Sequence, residues 1–296
     1  MTDAFCGYHP SVNFLYFAAA IGFSMFFMHP VCLLISLICA FCYSLYLHGK
    51  KALSISIKFM LPMLIFTALL NPLFNHSGAT ILAYLPDGNP LTLESLLHGI
   101  AAALMLISVI GWFSCFNKVI TDDKFVYLFG RLMPSLSLML SIALRFIPRF
   151  RKQVSIISNA QKSLGFSVSE GSIIQKLKVG IRIMSIMLTW ILENVVETAD
   201  SMKCRGYGLK GRTAFSIFKF YKRDMYALLY ILACGGLIFA GTLGGGLTFR
   251  YFPTITGQWN SALSISLYLL YFALLALPLI VNLKEALIWK HIASKT

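Results

Sequence analysis

Residues 93–116 read LESLLHGIAAALMLISVIGWFSCF, and this stretch decides the fold class of the chain. It carries a single charged side chain, Glu94, and a helix needs about 20 mostly apolar residues to cross the hydrocarbon core of a bilayer. Across the whole chain, 58% of the residues are hydrophobic and 12% are charged, whereas a soluble domain carries roughly 25% charged residues. The sequence therefore predicts an integral membrane protein.

Five further apolar runs lie on either side of this stretch: residues 12–28, 31–47, 57–70, 225–247 and 262–283. The first run has neither a basic segment before it nor a small-residue cleavage site after it, so we expect it to be retained as a span. Two more runs, 134–147 and 179–192, are too short to cross a bilayer and favour buried or interfacial helices. Arg182 inside the second of these supports that interpretation. The prediction is an all-α, polytopic membrane protein of about six spanning helices with long amphipathic cytoplasmic helices.

Lysine and arginine are distributed asymmetrically over the predicted loops. The loop 72–92 contains neither, and the loop 248–261 contains only Arg250. The remaining basic residues outside the central segment lie after the second span and in the C-terminal tail: Lys50, Lys51, Lys58, Lys284, Lys290 and Lys295. With six spans, all of these fall on one side together with both termini. We therefore expect a multi-pass protein of a bacterial or archaeal cell membrane, with cytoplasmic termini.

The segment between Lys118 and Arg223 holds 18 of the 25 Lys and Arg residues and 6 of the 11 acidic ones, and so +12 of the total charge of +14. This predicts three parts: N-terminal membrane helices in 1–117, a cytoplasmic segment in 118–223 and C-terminal membrane helices in 224–296. The basic block satisfies the positive-inside rule or binds anionic membrane lipids. Nucleic acid is disfavoured, because apolar helices interrupt the block and tether it to the membrane.

The sequence contains no recognisable catalytic, cofactor or metal site. Cys39 and Cys42 have the C-x-x-C spacing of redox and metal sites, but they lie in an apolar helix without polar neighbours and favour packing roles. The run 244–246 is three glycines and lacks the Lys-Ser/Thr of a phosphate-binding loop. We expect no cofactor and no metal, and any ATP used must be bound by a partner.

Two amphipathic helices are predicted within the basic segment. In the first, Arg145, Arg149 and Lys152 form a basic stripe, Pro148 should open a new helix or kink the old one, and Gly165 is a plausible helix terminator. Its apolar face contains Ile147, Phe150, Val154, Ile157 and Leu164. Such a helix lies along the membrane interface or binds in another protein's groove.

The second helix continues the apolar run 179–192 into an acidic stripe of Glu193, Glu197 and Asp200. It should end at Arg205, near the negative end of the helix dipole, with Gly206 or Gly208 as the left-handed cap. We predict that this acidic stripe pairs with the basic stripe of the first helix. The alternative is that both stripes face water.

These features, in this order, resemble the transmembrane T component of energy-coupling factor (ECF) transporters, a family that includes CbiQ. The segment 144–148, LRFIP, followed by Ala160-Gln161, resembles the first coupling helix of that family, and residues 200–207 resemble the second. Thr121-Asp122-Asp123, Pro134 and Asn71-Pro72-Leu73-Phe74 also resemble family positions. The likeness covers roughly residues 71–212.

The resemblance implies a coupling scaffold without catalysis of its own. Its coupling helices would carry Arg-containing triplets into two cytoplasmic ABC ATPases and hold a membrane-embedded, substrate-binding S component for a vitamin or metal ion. The implied ATPase-coupling residues are Ser163, Leu164, Gly165, Cys204, Arg205 and Gly206. The implied supporting residues are Arg145, Pro148, Arg149, Ala160, Gln161, Glu197 and Asp200.

The chain departs from the family pattern at Leu164, which stands where the first triplet usually has arginine. Lys162 is nearby, but its side chain leaves the helix about 200° away from that of Leu164. The contact between the first triplet and its ATPase is then either apolar or made by Lys162, and this asymmetry fits two non-identical ATPases. Alternatively, the chain is a divergent member in which coupling is lost or altered.

Two other classes of function fit the sequence less well. A membrane-embedded lipid or prenyl transferase needs paired acidic sites, and Asp122-Asp123 has no matching second pair. A self-contained permease needs polar residues along its spans, and these are scarce here. The sequence does not identify the substrate.

Overall fold

The computed structural model describes residues 3–84, 89–130, 133–166, 172–209, 218–257, 259 and 261–293. Within these ranges the chain is mainly helical, and the prediction of an all-α polytopic membrane protein is confirmed. The α-helices are α1 (Pro10–Phe26), α2 (Pro30–His48), α3 (Lys50–Phe74), α4 (Leu93–Val119), α5 (Asp122–Gly130), α6 (Pro134–Ser163), α7 (Ile173–Cys204), α8 (Lys222–Leu243), α9 (Ala262–Leu275) and α10 (Leu277–Ala293). Two short antiparallel hairpins precede α4 and α9: β1 (Ile81–Tyr84) with β2 (Pro90–Thr92), and β3 (Phe249–Arg250) with β4 (Thr256–Gly257).

In the part of the chain that is described, four helices are long and apolar enough to cross a membrane: α2, α4, α7 and α8. The pair α9 and α10 forms a fifth candidate, bent by 55° between the two helices. The bend precedes Pro278, which has no N–H to continue the helical hydrogen bonds. Helix α1 and the segment Pro62–Phe74 are apolar but shorter. The six predicted spans thus correspond to α1 to α4, α8 and the α9–α10 pair, and α7 passes the same test although we predicted it outside the bilayer.

The two amphipathic helices are longer than predicted. Helix α6 runs without a break from Pro134 to Ser163 with Pro148 inside it, so Pro148 does not open a new helix, which was one of the two outcomes predicted there. The apolar run 179–192 is the middle of α7, which has 32 residues. Both helices continue beyond the apolar runs 134–147 and 179–192, because apolar residues recur at helical spacing in the more polar sequence next to each run.

The chain divides into two compact units, one formed by Met1–Thr121 with Phe218–Thr296 and the other by Asp122–Ile217. In the first unit, the fully buried Trp112 of α4 donates its indole N–H to the Ser36 hydroxyl at 3.0 Å. The Ser36 and Ser24 hydroxyls are 2.6 Å apart, and Tyr271 lies 3.3 Å from Ser24. This network satisfies polar groups that would be costly to leave unpaired inside a membrane-spanning unit.

Close helix contacts in the first unit depend on small residues. Helices α3 and α4 approach so closely at Gly99 that a Cβ atom there would lie 2.7 Å from the carbonyl oxygen of Ala68. Packing of this kind, through small residues, is typical of helices in membranes.

The start of α8 is held against the N-terminal residues of the same unit. The buried Asp224 carboxylate accepts hydrogen bonds from the backbone N–H of Tyr221 at 2.9 Å and of His9 at 3.3 Å. The Arg223 guanidinium donates to the carbonyl oxygen of Gly7. Burial lowers the pKa of His9, and the nearby Asp224 carboxylate opposes that shift. These contacts fix the point at which the chain returns to the first unit.

The second unit contains α5, α6 and α7. In the part of this unit that the structure describes, four buried apolar residues form a small cluster, which we call the α6–α7 seam: Ile157, Val179, Ile183 and Met187. Phe150 and Trp190 pack against it, with their rings 6.0 Å apart in an edge-to-face arrangement. Because so few residues are buried, most of the apolar surface of α7 faces outward.

Candidate functional site

Helix α6 ends in a Schellman motif, a hydrogen-bonded turn that closes on a left-handed residue. Its last helical residue is Ser163, Leu164 is the C-cap, and Gly165 follows with φ of +83°. The backbone N–H of Gly165 donates to Lys162 O at 3.0 Å, and that of Phe166 donates to Gln161 O at 2.9 Å. These two bonds satisfy carbonyl groups that the helix would otherwise leave unpaired.

Helix α7 ends in the same motif. Arg205 is the C-cap and Gly206 follows with φ of +76°. The backbone N–H of Gly206 donates to Lys203 O at 2.9 Å, and that of Tyr207 donates to Met202 O at 3.0 Å. The prediction that glycines with left-handed backbone end both helices is therefore confirmed.

The two helix ends match residue by residue. Leu164 has φ and ψ of −86° and 8°, and Arg205 has −83° and 11°, so both hold the same C-cap position. Leu164 is 68% exposed and Arg205 is also exposed. Ser163 corresponds to Cys204, likewise exposed, and an aromatic residue follows the glycine in both motifs. Two helices thus present the same backbone shape with different side chains, one apolar and one cationic.

A cation lies next to the first helix end, although it comes from α7. The guanidinium carbon of Arg182 is 4.2 Å from the centroid of the Phe166 ring, two residues beyond Leu164. From the sequence, Arg182 was predicted only to disfavour a membrane span, and no role at the end of α6 was predicted for it. The neighbouring Ile183 is buried in the α6–α7 seam, and that packing brings Arg182 to Phe166. No local sequence signal joins residues 166 and 182.

The predicted pairing of the acidic and basic stripes is wrong. Arg145, Arg149 and Glu197 are all exposed, and the one ion pair within the described residues of α6 and α7 joins Asp200 to Lys203 at 3.9 Å. Arg149 instead lies 6.0 Å from the Phe146 ring on its own helix. The physical reason is that α6 and α7 meet through the apolar side chains of the seam, and the charged stripes lie on other faces.

The other predicted supporting residues differ in burial. Pro148 and Ala160 are exposed. Gln161 is 9% exposed, and its side-chain Oε1 has no hydrogen-bond partner among the described residues. Its backbone carbonyl accepts the bond from Phe166, so Gln161 supports the turn through its main chain.

An apolar groove runs along the first half of α7. It has a volume of about 720 Å³ and is lined by Ile173, Lys176, Leu177, Gly180, Ile181, Met184, Ser185 and Leu188. An apolar surface of this kind is typical of contact with lipid or with another protein. In the described ranges, no cluster of three or more His, Cys, Asp or Glu side chains is arranged to hold a metal ion.

The sequence is similar to proteins of known families over most of its length. The family model described as cobalt transport protein, CbiQ, matches residues 8–215. The energy-coupling factor transporter transmembrane protein EcfT 1 of Listeria monocytogenes is 30% identical over 200 residues, which are 63% of this chain and 74% of that protein. EcfT of Bacillus selenitireducens is 29% identical over 214 residues, covering 69% and 76% of the two chains. EcfT of Streptococcus thermophilus is 36% identical over 105 residues, 35% of this chain and 40% of the relative.

The family match covers well over half of the chain and includes both helix ends with their Schellman motifs. This chain therefore belongs to the CbiQ family of cobalt transport proteins.

Proposed function

We propose that this chain is the transmembrane coupling component of an ECF-type ABC importer. In this role it binds two cytoplasmic ATPases and a membrane-embedded S component, and it transmits the ATP-driven motion of the former to the latter. The family match and the names of the relatives support this assignment. The imported substrate, a vitamin or a metal ion, is bound by the S component.

The observation that carries the proposal is the matched pair of exposed helix ends, Ser163-Leu164-Gly165 and Cys204-Arg205-Gly206. Each is a compact turn that ends a helix of 30 or 32 residues. At 1.5 Å per residue, such helices are about 45 to 48 Å long and move as stiff levers. A push on either turn is therefore carried along the whole helix.

Arg205 is suited to anchor an ATPase. A guanidinium group presents five N–H donors in a planar fork and binds a carboxylate through two hydrogen bonds at once. At the C-cap of α7 its charge also complements the negative end of the helix dipole. The chain itself is non-catalytic, and ATP is hydrolysed by the ATPase subunits.

The distribution of lysine and arginine supports a cytoplasmic location for both termini and for the second unit. In that arrangement, the helix ends face the compartment that contains ATP. The basic surface of the segment also meets the anionic headgroups of the inner leaflet.

Purification in a gentle detergent, followed by mass spectrometry, tests the assembly. We expect two ABC ATPases and one small hydrophobic protein to copurify with the full chain. A stable chain that binds no ATPase at any protein concentration contradicts the proposal.

Reversing the charge of Arg205 tests the mechanism. Arg205→Glu should reduce ATP-driven uptake to background in cells, because the anchor is replaced by a like charge facing the ATPase carboxylate. Lys203→Glu, two residues earlier and exposed, is the matched control and should retain most uptake. Membrane insertion of both variants is checked by quantitative blotting, and normal uptake by Arg205→Glu removes this residue from the mechanism.

A further inference from the structure

We infer that Arg182 supplies, at the end of α6, the cation that Arg205 supplies at the end of α7. The inference rests on the proposed function and identifies what the ATPase docked at Leu164 recognises. In this view the first docking site is composite, with Leu164 from α6 and Arg182 from α7.

The C-cap of α7 is a cation, Arg205, whereas the C-cap of α6 is the uncharged Leu164. Leu164 has the backbone geometry of Arg205 but no hydrogen-bond donor on its side chain. Lys162 precedes it by two residues and projects about 200° round the helix, away from the side on which Leu164 lies. The helix that carries Leu164 therefore provides no cation at that bearing.

Arg182 reaches this helix end from α7. Its guanidinium carbon lies 4.2 Å from the Phe166 ring centroid, and the Phe166 backbone is fixed by its hydrogen bond to Gln161 O at 2.9 Å. On the other side, Ile183 is buried in the seam against Ile157 and holds the backbone next to Arg182. Both partners of the stack are thus fixed by the fold of the second unit.

The contact with Phe166 does not use up the hydrogen-bond donors of Arg182. The guanidinium carbon lies at cation–π distance from the Phe166 ring, and an arginine in such a contact keeps N–H donors with which it can bind a carboxylate. Arg182 is exposed, and no carboxylate that the structure describes lies within ion-pair distance of it. Its charge is therefore presented on the surface rather than used inside the unit.

The partner that fits this surface is an ATPase groove with an apolar floor for Leu164 and an acidic side chain at the rim for Arg182. The groove that receives Arg205 needs its acidic group at the centre instead. The two sites therefore select different ATPase surfaces, which two non-identical ATPase subunits provide.

The test uses the full chain, coexpressed with its ATPases and S component, and the variant Arg182→Gln. Lys178→Gln is the matched control, because Lys178 is exposed on the same helix one turn earlier. We expect ATP-driven uptake to fall about tenfold or more in Arg182→Gln, since hydrogen bonds to charged groups are worth at least that factor in binding. Uptake by Lys178→Gln should be close to that of the wild type.

A photoreactive residue placed at Ser163 or at Cys204 reports each docking site separately. Arg182→Gln should reduce crosslinking of the ATPase at position 163 and leave crosslinking at position 204 unchanged. Equal crosslinking at position 163 with and without Arg182 overturns the inference.

A conservative substitution separates a docking role from a structural one. Arg182→Lys keeps a positive charge at this position, so ATP-driven uptake should be closer to that of the wild type than uptake by Arg182→Gln. Uptake by Arg182→Lys that is as low as uptake by Arg182→Gln contradicts the inference.

The stack itself is tested at Phe166. Phe166→Ala should lower uptake about two- to fivefold, the factor expected from losing an exposed cation–π contact, and Phe166→Tyr should behave like the wild type. Wild-type uptake by Phe166→Ala contradicts a role for the stack.

If the unmodified chain binds no ATPase, the proposed function itself fails. If the complex assembles and uptake does not depend on Arg182, only this inference is overturned.

Discussion

Gly165 and Gly206 each adopt a left-handed backbone at the turn that ends a long helix. For residues with a Cβ atom, this conformation costs about 1–2 kcal/mol. At Gly165 an added Cβ would meet open space, so strain in the backbone is the whole cost of a substitution there. Replacing Gly165 with alanine therefore strains the backbone of the turn without creating or removing a side-chain contact.

Gly165→Ala should loosen the end of α6. Because the strain opposes the closed turn, we expect faster hydrogen exchange at the Gly165 and Phe166 amides, about five- to thirtyfold for a cost of 1–2 kcal/mol. Hydrogen–deuterium exchange with mass spectrometry on the purified chain measures this change.

Gly180→Ala is the matched control, since Gly180 lies inside α7 and an added Cβ there also meets nothing within 4 Å. Alanine favours a helix interior by up to about 1 kcal/mol, so exchange at the α6 end should not increase. If the amides of residues 165 and 166 exchange at the same rate in the wild type and in Gly165→Ala, a side chain at position 165 does not strain the turn and the prediction is wrong.

At the scale of elements, α6 and α7 are joined by the small α6–α7 seam. Among the described residues the seam has four buried apolar side chains, so each carries a large share of the packing that keeps the two helices together. Met187 is 5% exposed in the seam, whereas Met184, one turn earlier, is 66% exposed. The same residue type thus occurs in two opposite environments on one helix.

Met187→Ala should destabilise the second unit by about 2 kcal/mol or more, because it opens a cavity in the seam. Limited proteolysis in detergent measures this as faster cleavage within residues 122–217. Met184→Ala removes the same atoms from an exposed position and should change stability by less than about 0.5 kcal/mol. If both variants are cleaved at the same rate, the seam is not the structural core of the unit.

At the scale of the whole molecule, the question is on which side of the membrane each segment lies. Helix α7 is long and apolar enough to span, yet its first ten residues include Lys176, Lys178 and Arg182. The charge distribution favours keeping the entire second unit in the cytoplasm, because basic residues resist translocation.

Reporter fusions after Thr121 and after Leu209 decide between these alternatives. We expect both fusions to report the cytoplasm, with a fluorescent GFP and an inactive alkaline phosphatase, whereas a fusion after Tyr84 should give active phosphatase. If the fusions after Thr121 and Leu209 report opposite sides, the segment between them crosses the membrane and the proposed topology is wrong.

The amino-acid sequence is sufficient to predict the fold class and the ends of α6 and α7. Run length and composition identify apolar helices such as α4, because the thickness of the bilayer sets how many residues are required. Gly165 and Gly206 mark the ends of α6 and α7, because few other residues accept a left-handed backbone. These are local rules, whereas the correspondence between Leu164 and Arg205 was predicted from the resemblance to the family's coupling triplets.

The faces through which α6 and α7 meet are visible in the tertiary structure and could not be predicted from the sequence. It replaced the predicted contact between charged stripes with an apolar seam, continued α6 through Pro148, and brought Arg182 to Phe166. Such contacts depend on the direction in which the chain turns between the helices and on how their side chains interlock, and neither is encoded by spacing within one helix. Burying apolar side chains is worth more than pairing exposed charges, which explains why the seam and not the stripes joins the two helices.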